Sequence, residues 1–386
     1  MSPLTAANNQ PEQPLTLPAA ITEQLFDGGD NFFRHLLKDF AEAQHSIDIE
    51  VYIFQLDSLG DQVLDALLAA IRRGVKVRLL MDGIGSWLHA NTISKRLEQA
   101  GAVVRIYHPL PWQLTHYRRA LRRGGPVDKA LYFLRKMNRR DHRKMIVIDG
   151  TILWSGSLNI AAVHLSHERG GANWHDYGLR LTGTLAAELQ NDFAALWERR
   201  KFSPVKHPIR RYWHNLTRWS RRRKNLQLVN RIRRARQRVW VMSAYFAPSA
   251  RVVRALKSSA RRGIDVRILV PARSDIHFFP LLTATYYKDL LNAGVRVFEY
   301  LPEVLHAKLL IIDEQHILGS TNFNHRSYLH DLELDLFLQL DESKAQLRAW
   351  FERDMEYARE VTAGGSGSRV LNLLLGAIAR SLRYWM

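Results

Sequence analysis

Two short stretches of this 386-residue chain place the same ionisable side chains at the same spacing. DHRKMIVIDG (residues 141–150) carries His142, Lys144 and Asp149, and LHAKLLIID (residues 305–313) carries His306, Lys308 and Asp313. Each is followed by Gly-Ser-x-Asn: GSLN with Ser157 and Asn159, then GSTN with Ser320 and Asn322. Imidazole attacks electrophiles or moves protons, while ammonium and carboxamide groups hold the oxygens of an anion. A single His-x-Lys before an apolar run is an ordinary beginning for a buried strand. Two copies, each trailed by the same tetrapeptide, together supply a nucleophile, a proton donor and fixed positive charge.

The elements that must hold these groups are also written twice. Along a strand, His142 and Lys144 share a face, and MIVI is apolar on both faces, as in a strand covered from both sides. Upstream, residues 43–54 (AQHSIDIEVYIF) pair with residues 235–246 (ARQRVWVMSAYF), and RRGVKVRLLMDG (72–83) pairs with RRGIDVRILVPA (261–272). LEQAGAVVRIYHP (97–109) then matches LLNAGVRVFEYLP (290–302). Each half reads strand, helix, strand, helix, strand and then a motif strand. The expected fold is α/β: two pseudo-symmetric halves, each a mostly parallel sheet flanked by helices, with the site between them. The expected boundaries are a disordered lead at 1–20, a first half at 21–198, a basic aromatic linker at 199–230, a second half at 231–362 and a tail at 363–386.

The paired His-x-Lys-x4-Asp and GSxN motifs resemble the phospholipase D superfamily, over roughly residues 21–360. LLMDGIGS (79–86), SDIHFFP (274–280) and EYLPEVLHAK (299–308) are most similar to bacterial cardiolipin synthases of the type without N-terminal membrane helices. The resemblance implies phosphatidyl transfer without metal or cofactor. One histidine attacks phosphorus to form a phosphohistidine, and the other protonates the leaving alkoxide and deprotonates the incoming alcohol. His142 is assigned as nucleophile and His306 as acid/base, although the near-symmetry permits the reverse. Lys144, Lys308, Asn159 and Asn322 would hold the phosphoryl oxygens, with Ser157 and Ser320 orienting the lysines or donating hydrogen bonds. The motif aspartates complete the catalytic motifs, but they stand at the far end of a buried strand and read as structural.

A nucleophilic histidine needs an acceptor on its second nitrogen to fix the tautomer. Asp176 in WHDYGLRL and Glu333 in DLELDLFL follow the two GSxN motifs. Since the superfamily takes the orienting carboxylate from the opposite half, the expected pairs are His142 with Glu333 and His306 with Asp176. His164, His167 and His175 lack a metal-ligand spacing and read as solvated or hydrogen-bonded loop histidines. Six residues separate Asp149 from GSLN and five separate Asp313 from GSTN, which is harmless in a turn but would flip side chains if it fell within a strand.

Composition bounds the partners. Without cysteine, thiolate nucleophiles, disulfides and Cys-zinc sites are excluded. The formal charge of +19 sits in two segments: residues 110–140 hold nine Lys/Arg and one acid, and residues 201–238 hold fourteen and none. Both interleave aromatics (Trp112, Tyr117, Tyr132 and Phe133; Tyr212, Trp213 and Trp219), a mixture suited to anionic headgroups or to a nucleic-acid backbone. The first segment has no counterpart in the second half and must join the chain beside His142. After GGSGS (364–368), RVLNLLLGAIARSLRYWM forms a narrow polar stripe in a helix, as expected of an interfacial helix. No secretory signal is seen, and no window reaches the ~18–20 apolar residues of a spanning helix.

These features make lipid the leading substrate class, with phosphatidylglycerol and the membrane surface as partners and no nucleic acid. The expected location is the cytoplasmic face of a bacterial inner membrane, held peripherally. Hydrolysis in place of transfer, a nuclease or phosphodiesterase on the same histidines, and a non-catalytic membrane scaffold are the alternatives.

Overall fold

The computed structural model describes residues 21–109, 125, 139–198 and 211–362. The expected N-terminal lead, most of the basic insertion, the start of the linker and the C-terminal helix lie outside these residues.

The first sheet has seven strands: β1 (Thr22–Asp27), β2 (Ser46–Val51), β3 (Lys76–Asp82), β4 (Val103–Tyr107), β5 (Met145–Ile148), β6 (Ile152–Gly156) and β7 (Tyr177–Thr182), in the order β1-β7-β6-β5-β2-β3-β4. The second has eight: β8 (Tyr212–His214), β9 (Arg238–Met242), β10 (Asp265–Pro271), β11 (Arg296–Tyr300), β12 (Leu309–Ile312), β13 (Gln315–Gly319), β14 (Leu334–Phe337) and β15 (Ala358–Glu360). Their order is β15-β11-β10-β9-β12-β13-β14-β8, so β2–β7 correspond to β9–β14. The helices are α1 (Gly29–Glu42), α2 (Ser58–Arg72), α3 (Ala90–Gln99), α4 (Thr184–Trp197), α5 (Arg218–Arg234), α6 (Ala250–Arg261), α7 (Phe279–Ala284), α8 (Tyr287–Leu291), α9 (His325–Leu329) and α10 (Asp341–Glu356).

Two expectations are corrected. Each sheet is mixed and not mostly parallel. Only β2-β3-β4 and β9-β10-β11 pair in parallel, because helical crossovers join them. The motif strand and its two successors add antiparallel pairs, beginning with the tight β5–β6 and β12–β13 hairpins. The basic segment 199–230 is also not simply a linker: from Tyr212 it is folded into the second half, with β8 on β14 and α5 packed beside α6. A Thr217–Ser220 capping box starts α5, and its apolar stripe, Leu228, Val229 and Ile232, is buried.

The motif strands justify the doubly apolar reading. Met145 and Val147 enter a core shared by both halves, with Trp240, Met242, Leu309 and Ile311, whereas Ile146 and Ile148 enter the first half's own core. Leu310 and Ile312 likewise face the second half's own core. The two sheets are therefore joined back to back by the strands that carry the chemistry.

The one-residue difference between the halves falls in the hairpin turn. Ile148 pairs with Ile152 across three turn residues, and Ile312 pairs with Gln315 across two. Met145 thus faces Ser155 and Leu309 faces Leu318, which leaves both GSxN motifs in matching register. Each motif glycine lets the next strand approach: a Cβ on Gly156 or Gly319 would lie 2.5 or 2.3 Å from the Tyr177 or Leu334 carbonyl oxygen.

Candidate active site

The motif histidines stand at one edge of the molecule, for a reason visible in the register. Met145 pairs with Glu50 near the C-terminal end of β2, and Leu309 pairs with Met242 at the C-terminal end of β9. Since β5 and β12 run antiparallel to these strands, His142 and His306 precede them at the edge where the parallel strands end. Short parallel bridges then tie the halves together. Asp141 pairs with Leu332, and the His142 amide donates to the Leu332 carbonyl at 3.0 Å. His175 pairs with Leu305, and the His306 amide donates to the His175 carbonyl at 2.8 Å. The residue before each histidine is thereby bound to the residue before the carboxylate that serves it.

The crossed pairs expected from the sequence follow from these bridges. His142 Nδ1 lies 3.1 Å from Glu333 Oε2, and His306 Nδ1 lies 2.9 Å from Asp176 Oδ1. All four residues are buried. Lys144 Nζ donates to the His142 carbonyl at 2.9 Å, and Lys308 Nζ does the same to the His306 carbonyl. Asn159 Oδ1 accepts from the Ile53 amide at 3.3 Å, so its NH2 is the group it can offer an oxyanion. Asn322 is equally buried, and its Oδ1 has no hydrogen-bond partner among the described residues.

Three expectations are narrowed or changed. The serines do not orient the lysines: Ser157 Oγ bonds the Tyr177 backbone at 3.2 Å, and Ser320 Oγ donates to Glu333 Oε2. Asp149 and Asp313, which complete the motifs, stand at the far end of β5 and β12, in keeping with the structural reading of them. Asp149 accepts the Gln44, His45 and Ser46 amides at 2.7–2.8 Å, and Asp313 accepts those of Arg236, Gln237 and Arg238. Both adopt left-handed backbone (φ 50° and 51°) in their turns and pin the start of β2 or β9. Burial pushes each carboxyl upward, but the backbone N–H groups outweigh it and hold the pKa below the usual range.

The third change is His164, which the sequence left among loop histidines. Its Nδ1 is 2.7 Å from Asp176 Oδ2, and its Nε2 accepts the Asn159 amide at 3.1 Å. That second bond fixes the tautomer, so Nδ1 carries the proton and faces the carboxylate as a close electrostatic contact, without the alignment of a full hydrogen bond. His164, Asp176 and His306 also bring one ligand atom each within 4.8 Å of one another, a spacing open to a metal. The His306 Nδ1 contact accounts for Asp176 Oδ1, and the His164 ring lies against Oδ2. His167 and His175 lie elsewhere, on Glu303 and Asp354. The available signal was position: His164 lies between the GSLN motif and Asp176, the carboxylate it meets.

Burial sets the electrostatics. It drives the His142 pKa well below 6.5, helped by Lys144 and Lys308, and lowers His306 to about 4 against the opposing pull of Asp176. It lowers Lys144 to about 8 and Lys308 to about 7, with nearby carboxylates opposing. The carboxylates diverge. Burial raises Glu333 to about 8 despite Lys224 and Lys144, whereas two imidazoles overcome burial at Asp176 and hold it well below the carboxylate range. Aromatic rings flank the pair: Tyr52 is 4.8 Å from His142, and Trp174 and Tyr245 are 5.4 and 6.4 Å from His306. Two neutral imidazoles between two buried lysines suit an anionic phosphodiester better than an uncharged substrate.

Residues 36–197 and 228–355 match the family described as "Cardiolipin synthase, PLD-like domain". A cardiolipin synthase of Halalkalibacterium halodurans is 30% identical over 357 residues, covering 88% of this chain and 67% of that protein. A probable cardiolipin synthase of Bacillus subtilis, YwiE, is 27% identical, covering 89% and 67%. The crystal structure of a phosphatidylserine synthase from Haemophilus influenzae superposes with a TM-score of 0.68 at 12% identity over 94% of each chain, a likeness of fold. With its duplicated sheets, crossed His–carboxylate pairs and this match over most of its length, the chain belongs to the cardiolipin synthase family of phospholipase D-like proteins.

Proposed function

We propose that the protein is a cardiolipin synthase that moves a phosphatidyl group from one phosphatidylglycerol to another. The observation that carries the reading is the crossed pairing, which leaves two opposed imidazoles with fixed tautomers between two lysines.

Glu333 Oε2 already accepts from Ser320, and it accepts the His142 Nδ1 proton as well, so His142 Nε2 keeps a free lone pair. His142 attacks phosphorus through Nε2. The N–P bond forms as the P–O bond to glycerol breaks, and His306, neutral in the empty site and protonated from solvent as the anionic phosphodiester binds beside it, gives the leaving oxygen its proton. His306 then takes the proton of the incoming phosphatidylglycerol hydroxyl as that oxygen attacks phosphorus. The N–P bond breaks, and both histidines return to their starting states. Lys144, Lys308, Asn159 and Asn322 neutralise the phosphoryl oxygens throughout, and His164 holds Asp176 in place. The same arrangement with water as acceptor would be a phospholipase.

Among the described residues no helix is long and apolar enough to cross a membrane. The lipid substrate and basic surface support peripheral attachment at the cytoplasmic face of the bacterial inner membrane. The test is to incubate the purified chain with phosphatidylglycerol vesicles and identify the lipids by mass spectrometry. Cardiolipin with equimolar glycerol is expected. Phosphatidic acid without cardiolipin would replace this reading with hydrolysis, and cleavage of nucleic acid without lipid turnover would replace it with a nuclease.

A further inference from the structure

The edge that carries His142 and His306 differs from the rest of the surface. Among the described residues, ten large apolar side chains are exposed, and six of them, Trp87, Leu88, Phe278, Leu281, Leu301 and Leu329, lie on segments that follow strand ends at this edge. Trp87 and Leu88 belong to the loop after β3, and Phe278 and Leu281 to the corresponding loop and helix α7 after β10. Leu301 follows β11, and Leu329 ends α9 after the GSTN motif.

Each of the two equivalent loops is connected to its own histidine. Ser86 Oγ donates to the Tyr52 carbonyl at 3.0 Å, and the Tyr52 ring lies against His142, so Trp87 is one residue from a side chain that braces the site. In the other half Phe279 packs on Tyr245 at 4.9 Å, Tyr245 faces His306, and Phe278 is the exposed neighbour. Solvent-facing Trp87, Leu88, Phe278 and Leu281 are 50–62% exposed, although buried positions exist one residue away at Ser86 and Phe279. Isolated exposed apolar residues are normal, but a rim of them around a buried anion site, repeated by pseudo-symmetry, marks an interaction surface.

Charge selects the occupant. The segment 110–138 leaves after Pro109, which follows the C-terminal end of β4, and the chain is described again at Arg139, three residues before His142. Both ends of that strongly basic segment therefore join the same edge. An anionic bilayer offers an apolar interior and a negative surface together; nucleic acid has no apolar interior to receive four such side chains.

We propose that this edge is the bilayer-docking face, with Trp87 and Leu88 from one half and Phe278 and Leu281 from the other entering an anionic lipid surface on either side of the site. The proposal rests on the lipid reading of that site. Docked this way, both histidines face the membrane, and a phosphate at the headgroup level is presented to them without extracting the whole lipid into water.

Because the chain has no cysteine, single labels can be placed cleanly. Leu88→Cys and Leu281→Cys, each carrying an environment-sensitive dye, are mixed with vesicles of phosphatidylglycerol and phosphatidylcholine. Val103→Cys, at the start of β4, and Glu314→Cys, in the β12–β13 turn, are exposed at the opposite edge and serve as controls. A blue shift at positions 88 and 281, with none at the controls, is expected. Vesicle binding by a Trp87→Ala/Leu88→Ala/Phe278→Ala/Leu281→Ala variant should weaken by about tenfold or more, with its melting temperature retained. Vesicle-bound protein with water-like emission at 88 and 281, or a shift at the controls instead, overturns the proposal. Docking is read from dye and sedimentation without turnover, so a chain that docks through these residues and forms no cardiolipin would sink only the proposed reaction.

Discussion

The two halves share a fold and a motif yet furnish their carboxylates differently. Asp176 lies against two imidazoles, His306 and His164, and stays ionised. Glu333 receives His142 and the hydroxyl of Ser320 on one oxygen, and its carboxyl is raised by burial to about 8. An ionised partner favours the imidazolium form, which a proton donor needs, and a reluctant one favours neutral imidazole, which a nucleophile needs. Pseudo-symmetry therefore builds one site with two unlike ends, and the unlike ends support His142 as nucleophile and His306 as acid/base.

The largest effects should come from the histidines. His142→Ala and His306→Ala are each expected to reduce transfer from phosphatidylglycerol by at least about 10⁴-fold. A phosphatidyl ester of p-nitrophenol separates them, since its leaving group needs no proton: His306→Ala should keep a burst of nitrophenolate, while His142→Ala should show none. A burst from His142→Ala alone would exchange the two roles.

The carboxylate shells come next. Asp176→Asn and Glu333→Gln should each lower kcat by on the order of 10²–10⁴-fold through the wrong tautomer. His164→Ala is expected to cost about tenfold and to move the pH–rate profile, because Asp176 loses one of the two imidazoles against it. His164→Gln, which can both donate to Asp176 and accept from Asn159, should recover much of the loss. If His164→Ala lowers only the melting temperature and leaves the profile in place, His164 is scaffold and the halves are more alike than they look.

A smaller effect tests the cations the halves share. Lys308, lowered to about 7, and Lys144, to about 8, must be charged to hold an oxyanion. Affinity for inorganic phosphate, followed by calorimetry, should fall above pH 7 by up to about tenfold per unit as a proton must be taken up on binding. In the unliganded protein the sign reverses. Lysines with folded values below about 10.4 bind fewer protons than the unfolded chain, so their contribution to stability rises with pH from 7 toward 10.

The motif aspartates should show the smallest effect and the greatest similarity between halves. Asp149→Ala and Asp313→Ala are expected to cost about 1–3 kcal/mol each in urea unfolding, discounted for their partial exposure, with kcat nearly unchanged. Their folded pKa values lie below the unfolded value, so this stabilisation is complete above about pH 4–5 and is lost as pH falls through the folded value. A large loss of kcat at full stability would return them to the chemistry.

Much of the site was readable in the chain because it is local and repeated. His142 with Lys144 and His306 with Lys308 are two residues apart in the run that leads into β5 or β12, so the alternation read from the sequence brings each pair to the same site. Asp176 and Glu333 were found by chemical need and family likeness. His164 was passed over because nothing local distinguishes a histidine that bonds a carboxylate from one at the surface, as His167 shows. The parallel reading of the sheets failed for a related reason: the apolar pattern of β5 and β6 is the same whether a neighbour runs with or against them, and only the short turn marks the hairpin.

The sequence by itself determined the repeat, the two motifs, the βαβαβ order and the concentration of charge, since each is a matter of spacing along the chain. Tertiary structure decided that the deletion at Glu314 is absorbed in a turn, that residues from Tyr212 onward join the second half, and that His164 buttresses Asp176. It also gathered six exposed apolar side chains at the edge shared by the histidines. Those outcomes depend on groups far apart in sequence meeting across an interface, and the imidazoles met there set which of two equally buried carboxylates keeps its charge.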